Sequence, residues 1–183
     1  ARPDVVAAAH DGELLRAGLR LVEPSDSWTE LVRSLDNGPA ELDQARRVFA
    51  ELPVTWVEGD PWNASLPHGS FDTILFAASL QYFPDLSALF ARCRDLGIGG
   101  GGIIIVDTPF YADELDAAAA RERSIAHYAS IGVPDMAGSY HHHTRRSLIE
   151  AAGDVGVEII PPRRMLARLI FGSYPFPIVR IRQ

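Results

Sequence analysis

The chain has 183 residues, 47% of them apolar and 22% charged, a length and balance that suit one globular domain with a sizeable core. Its net charge is −7, all 17 basic residues are arginine, and acids are interspersed among the arginine pairs, so nucleic acid is a poor partner. No apolar run reaches the ~18 residues of a membrane span, and the lone Cys93 excludes an internal disulfide or a Cys-built metal site.

The opening "PDVVAAAHDGELLRAGL" reads as one or two short helices. It lacks the basic-then-apolar layout of a signal peptide, and with a single cysteine this predicts a reduced, cytoplasmic setting. "VEPSDSWTELVRSLD" follows, an acid at the end of a short apolar run and then small residues at alternate places. "PAELDQARRVFAEL" is a clearer helix: Pro39 suits the first helical position, Leu42, Ala45, Val48 and Phe49 recur at helical spacing, and Pro53 stops it.

Past Pro53 the two periods alternate. "VTWVEGD" and "FDTILFAA" read as strands joined by the turn chemistry of "NASLPHGS". "DLSALFARCRDLG" is a helix capped by Asp85 or Ser87, with Cys93 as a small core residue. "GIGGGG" reads as a loop; it precedes a strand rather than a helix, which removes a phosphate-loop role. "IIIVD" is a buried strand, "DELDAAAARERSIAHYASIG" a helix, and "TRRSLIEAAGDVG" a helix capped by Thr144. "VEII" and "FPIVRIR" close the chain as strands.

Strands alternating with helices predict βαβ units: an α/β fold in three layers, αβα, with a mostly parallel sheet. Ligands in such sheets bind outside the carboxyl ends of the strands. The run "VTWVEG" ends at Asp60, "DTILF" at Ala77-Ala78-Ser79 and "IIIV" at Asp107, so a small or polar residue follows each apolar run. Three such endings in series mark a mouth.

From "VTWVEGDPWNASLPHGSFDTILFAASLQYFPDLSALFARCRDLGIGGGGIIIVD" onward the sequence resembles the class I S-adenosylmethionine-dependent methyltransferases of small molecules. The shared pattern is a strand ending in Gly-Asp, an "LP-x-GSFD" turn, an "L-x-Y-F-x-D" segment, and a helix with "R-x-L" leading through glycines into an apolar strand. The later "HHHTRRSLIEAAGDVGVEII" is similar to the family's helix before its sixth strand, and the likeness covers residues 36–183. It implies a Rossmann-like methyltransferase fold with strand order 3-2-1-4-5-7-6 and an antiparallel last strand, and a single domain over 1–183. In that domain 1–35 are a helical lead-in with an incomplete first motif, and 36–183 form the core.

The resemblance also implies the cofactor, S-adenosylmethionine, and a small-molecule acceptor. Asp60 with Pro61 and Trp62 would take adenine, a carboxylate beside an apolar slot. Asp36 would take the ribose diol, although Asp36-Asn37-Gly38-Pro39 is equally a turn and helix start. Ala77 and Ala78 would pass beside the methionine moiety. The family's glycine-rich first motif falls on Glu23-Pro-Ser-Asp-Ser-Trp-Thr29, where the acid matches and each glycine is replaced by Ser or Thr. Asp36 lies only nine residues beyond Ser27, too close for the helix and strand expected between them. That spacing leaves three readings: a segment absent between 22 and 36, which is favoured, a degenerate relative that binds no cofactor, or an accidental match at Glu23.

If the acceptor must lose a proton, His127, Tyr128, His141 and His143 are the candidate bases, each also a plausible structural residue. In an extended "HHH", only His141 and His143 share a face, and no second His/Cys cluster exists to complete a zinc site. In "DTPFY", Phe110 and Tyr111 are expected to line the acceptor pocket. A methyltransferase-like shell without cofactor is the rival from another class, and a nucleotide-binding oxidoreductase is a weaker one, lacking G-x-G-x-x-G.

Overall fold

A computed structural model describes residues 4–9, 32–36, 38–52, 54–160 and 176–182. Seven strands form one sheet in the order β3-β2-β1-β4-β5-β7-β6. They are β1 (Asp4–Ala9), β2 (Val32–Asp36), β3 (Val54–Glu58), β4 (Phe71–Ala77), β5 (Gly97–Val106), β6 (Val157–Ile160) and β7 (Ile178–Arg182). The first five run parallel, and β7 is antiparallel to both β5 and β6. This is the order and the antiparallel strand that the resemblance implies.

The opening segment is a correction. Residues expected to be helical contain β1, which pairs in parallel with β2 on one side and β4 on the other. Alanine favours helix in isolation, but a central place in a sheet overrides that preference. Residues 10–31 then join β1 to β2, and Glu23 and the rest of the expected first motif lie there, outside the described residues. This connection exceeds the ~10–12 residues that a parallel crossover needs, so the chain as it stands meets the strand order.

Helix α1 (Pro39–Val48) starts at Gly38 with Pro39 in its first turn, and buries Leu42 and Ala45 while Val48 is exposed. Phe49 stacks on Trp56 of β3 at 6.2 Å. Helix α2 (Leu86–Leu96) is capped by the Asp85 carboxylate, which accepts from the Ala88 N–H at 2.9 Å. Its buried face, Leu86, Leu89, Phe90, Cys93 and Leu96, meets Phe71, Phe76, Ile103 and Ile105 of the sheet in the main core. Each fully buried side chain of that size contributes roughly 1.5–3 kcal/mol. Burial pushes the Cys93 thiol up to about 12, so it stays protonated at neutral pH and serves as packing.

The glycine run is a second correction, because 97–102 lie within β5 rather than in a loop. Gly97 pairs with Phe71 and Gly102 with Thr73, so β5 bulges where β4 spends one residue, Asp72. Two positions of this bulge call for glycine: Gly100 has φ 89°, and a Cβ on Gly101 would stand 2.8 Å from the Asp72 carbonyl oxygen.

Helix α3 (Glu114–Ser130) follows β5, capped by Asp113; the short α4 (Met136–Ser139) and then α5 (Arg145–Ala152) follow it. Thr144 and Ser147 form a reciprocal capping box at the start of α5, and Leu148, Ala151 and Ala152 join the core beside α2. In β7, Val179 and Ile181 are buried while Ile178, Arg180 and Arg182 face out, the alternation of a strand covered on one face. No described helix is long and apolar enough to cross a membrane.

Candidate active site at the carboxyl ends of the strands

The chain fills β1, β2 and β3 to one side and then crosses to β4, so the order reverses between β1 and β4. Ligands of open α/β sheets bind at the carboxyl ends beside such a switch point. The residues that follow β3, β4 and β5 therefore carry the chemistry.

After β3 the chain turns at Gly59 (φ 136°), where a Cβ would strike the Asn63 side-chain oxygen at 2.5 Å. Asp60 ties the loop together. Its Oδ1 accepts from the Trp62 N–H (2.8 Å) and the Asn63 N–H (2.9 Å), and its Oδ2 accepts from the Asn63 amide (2.9 Å). Asn63 Oδ1 in turn accepts from the Asp60 N–H at 2.8 Å. A carboxylate has about four acceptor sites, so Oδ2 retains capacity for a further donor. Pro61 is buried and its carbonyl accepts from Arg92 Nε at 2.8 Å. Trp62 is half exposed, with its ring 5.7 Å from Phe83.

β4 and β5 end alike. Among the described residues, Ala78 (φ 49°) and Asp107 (φ 55°) are the two non-glycine residues with left-handed backbone, and each directly follows its strand. Such a conformation costs ~1–2 kcal/mol in an L-residue and clusters at functional sites. The Ala78 N–H donates to the Val106 carbonyl at 3.0 Å, locking the two ends together. Ala77 is buried beside this turn.

Gln81, in the 3₁₀ turn Leu80–Tyr82, binds the three pieces into one. Its amide donates to the Ala78 carbonyl, its side-chain oxygen accepts from the Thr108 hydroxyl at 3.3 Å, and its backbone carbonyl accepts from the His141 N–H at 2.7 Å. Nothing in "SLQYF" singles Gln81 out in sequence; only the fold shows one side chain reaching two strand ends.

The histidine segment folds over this rim. Its backbone pairs with Tyr111: the Tyr111 N–H donates to the His143 carbonyl at 3.0 Å, and the Arg145 N–H donates to the Tyr111 carbonyl at 2.9 Å. His141 and His143 share a side, with ring centroids 6.3 Å apart, and His143 Nε2 meets the Phe83 carbonyl at 3.0 Å. His142 faces the tyrosines, 5.1 Å from Tyr140 and 5.6 Å from Tyr111. Tyr140 also meets Tyr82 (5.9 Å) and Tyr128 (6.4 Å), and the exposed His127 leans on Tyr128. Phe110 is buried in the main core, so Tyr111 alone of that pair joins the aromatic wall, because "DTPFY" alternates inward and outward as an extended segment. Tyr82 ends the 3₁₀ turn and Tyr140 directly follows α4, and no periodicity in the sequence marks either.

Burial pushes the Tyr140 phenol up to about 12, with Tyr111, Tyr128 and Tyr82 adding to it. Burial also holds all three imidazoles below their ordinary 6.5; Arg121 reinforces this at His141 and His142, and the Phe83 carbonyl opposes it at His143. Tyr140 and the three imidazoles are therefore uncharged at neutral pH.

Asp36 ends β2 in register with Glu58, the last residue of β3. Asp36, Asp60 and Ala77-Ala78 thus cap successive strands β2, β3 and β4 at the same end of the sheet. Phe83 connects the halves, touching Trp62 with its ring and His143 with its carbonyl. A rim with a spare carboxylate acceptor, a flat apolar side chain and a turn of small residues fits an adenosyl group with a zwitterionic tail.

Residues 18–105 match the family "Methyltransferase domain". Over 75 residues the chain is 29% identical to an uncharacterized methyltransferase of Mycobacterium tuberculosis, covering 41% of this chain and 38% of that protein. Over 77 residues it is 35% identical to the chloroplastic 2-methyl-6-phytyl-1,4-hydroquinone methyltransferase 2 of Oryza sativa, covering 42% of this chain and 22% of that one. The matched part therefore spans well under half the length of these curated relatives. Among solved structures, an S-adenosylmethionine-dependent methyltransferase from Mesorhizobium loti superposes with a TM-score of 0.68 at 16% identity, over 98% of this chain and 90% of that one. Geranyl diphosphate C-methyltransferase from Streptomyces coelicolor superposes with a TM-score of 0.67 at 17% identity, over 99% and 69%. The sheet order and the sequence match agree: the chain has the fold of the class I S-adenosylmethionine-dependent methyltransferases, and its residues 18–105 match a methyltransferase domain.

Proposed function

We propose that this protein transfers the methyl group of S-adenosylmethionine to a small-molecule acceptor. The observation that carries the reading is the continuous rim at the carboxyl ends of β3, β4 and β5, with Asp60 and Trp62 at one side, the Tyr/His wall at the other, and Phe83 touching both. The bound cofactor would supply an electrophilic methyl on a sulfonium.

Asp60 would accept from the adenine amino group while Trp62 and Phe83 flank the ring. Asp36 would accept from the ribose hydroxyls. The Ala77-Ala78 turn would let the methionine end pass close to the backbone, because neither side chain extends beyond a methyl. The acceptor would then lie against Tyr111, Tyr140 and the histidines. Alignment of the two reactants within such a cleft supplies much of the rate of a methyl transfer. Two of these likenesses are to proteins named for small-molecule acceptors, a phytyl hydroquinone and geranyl diphosphate, which supports the small-molecule class. We further propose a single domain acting in a reduced, cytoplasmic setting, on the strength of the shared sheet and the single, buried cysteine.

Incubation with S-adenosylmethionine carrying a labelled methyl group and a panel of phenols, enols and amines tests the reading. Label appearing in a product supports it. Absence of any cofactor binding would instead identify a methyltransferase-shaped shell.

A further inference from the structure

His142 differs from both its neighbours. Its Nε2 lies 3.0 Å from the Ser124 hydroxyl of α3, its ring packs between Tyr111 and Tyr140, and its Nδ1 is buried with no protein partner among the described residues. His143 spends Nε2 on the Phe83 carbonyl, and His141 is held through its backbone by Gln81. Folded proteins seldom leave a buried polar atom unmatched, and the exceptions gather where a ligand or a proton is handled.

A neutral imidazole has one N–H and one lone pair. The Ser124 hydroxyl can either accept from Nε2 or donate to it; in the tautomer whose Nε2 donates, the lone pair is left on Nδ1. The groups facing this ring keep it neutral: after burial itself, Arg121 and Arg123 from α3 and His141 from its own segment disfavour a positive charge on it. The tyrosines beside it offer faces and edges against which a flat ring packs well.

On these grounds, and resting on the methyl-transfer reading above, we infer that the acceptor is a planar aromatic compound bearing a hydroxyl group, and that His142 Nδ1 receives its proton. The O–H bond breaks, its electron pair remains on the oxygen, an N–H bond forms at Nδ1, and the imidazolium later releases the proton to solvent. An amine acceptor would attack through its own lone pair and would not require a base beforehand, which is why the bare Nδ1 favours a hydroxyl.

The test uses the whole chain with ¹⁵N-labelled histidine, saturated with S-adenosylhomocysteine, and two probes of the same ring: 4-nitrophenol and its methyl ether, 4-nitroanisole. Near neutral pH, His142 is expected to carry its proton on Nε2. 4-Nitrophenol is expected to shift the Nδ1 resonance and to gain phenolate absorbance over the free probe, and 4-nitroanisole to do neither. His142→Ala should lose the absorbance gain while still binding S-adenosylhomocysteine. Ser124→Ala should let the proton spread over both nitrogens and diminish the gain. A proton found on Nδ1, an equal response to both probes or to neither, or a gain that survives His142→Ala would overturn the inference. Failure of the wild-type chain to bind S-adenosylhomocysteine would overturn the methyl-transfer reading, and the inference that rests on it would fall too.

Discussion

Asp60→Asn separates the two duties assigned to one carboxylate. In the folded loop Oδ1 holds two backbone N–H groups and Oδ2 holds the Asn63 amide. The substitution keeps an oxygen for the two N–H groups but sets an NH₂ against the NH₂ of Asn63. Asn63 cannot turn over, because its own oxygen is held by the Asp60 N–H. A hydrogen bond to a charged group contributes ~1.5–3 kcal/mol, and the partial exposure of the loop lets water recover part of it, so a loss of ~1–2 kcal/mol is expected. For a chain of this size each kcal/mol lowers Tm by ~2–4 °C. The cofactor loses a charged acceptor for its amino group, again ~1.5–3 kcal/mol, which weakens binding about 10- to 150-fold. Scanning calorimetry reads the first effect and titration calorimetry with S-adenosylhomocysteine reads the second. A lowered Tm with unchanged affinity would refute the adenine role and leave Asp60 as a loop tie alone.

Three further outcomes follow from the same geometry. Gln81→Leu, close in size, should leave the Ala78 carbonyl and the Thr108 hydroxyl without that partner; a stability loss of ~1–3 kcal/mol in urea unfolding is expected, and none would show that the rim does not depend on this side chain. Ala78→Gly relieves a left-handed backbone and should change stability by less than about 1 kcal/mol, in the stabilising direction; clear destabilisation would mean the methyl group is needed for packing. The three imidazoles have lowered pKa values in the folded chain. Below about 6.5 the unfolded chain therefore takes up protons that the folded chain does not, and stability falls as pH falls through that range. Tm should drop on acidification from neutral pH, and His143→Gln should flatten the slope; a Tm independent of pH over that interval would contradict the buried, neutral state of these rings.

Most elements past Pro39 are legible because they carry their own signals, whereas the short α4 and the 3₁₀ turn at Leu80–Tyr82 carry none. Asp85 and Thr144 cap their helices as the side-chain chemistry predicts, and apolar runs mark β3, β4 and the second half of β5. Local signal failed where long-range pairing decides. "DVVAAA" is as good a helix as a strand until β2 and β4 flank it, and the glycines of β5 look like a loop until Phe71 and Thr73 fix their register. The strand-end rim is legible from small and acidic residues after apolar runs, which place Asp60 and Ala77-Ala78 just beyond or at the ends of β3 and β4. Gln81, Tyr82, Tyr140 and His142 are not, because their importance comes from tertiary contacts across the rim rather than from spacing along the chain. The alternation in "HHH" did separate His141 and His143 from His142, yet it drew the eye to the pair rather than to the ring facing the tyrosines.

The central proposal is that the rim is a cofactor site. Titration calorimetry of the intact chain with S-adenosylhomocysteine measures that directly: saturable one-to-one binding in the micromolar range is predicted, weakened by Asp60→Asn. A properly folded chain that gives no heat of binding at millimolar ligand would contradict it.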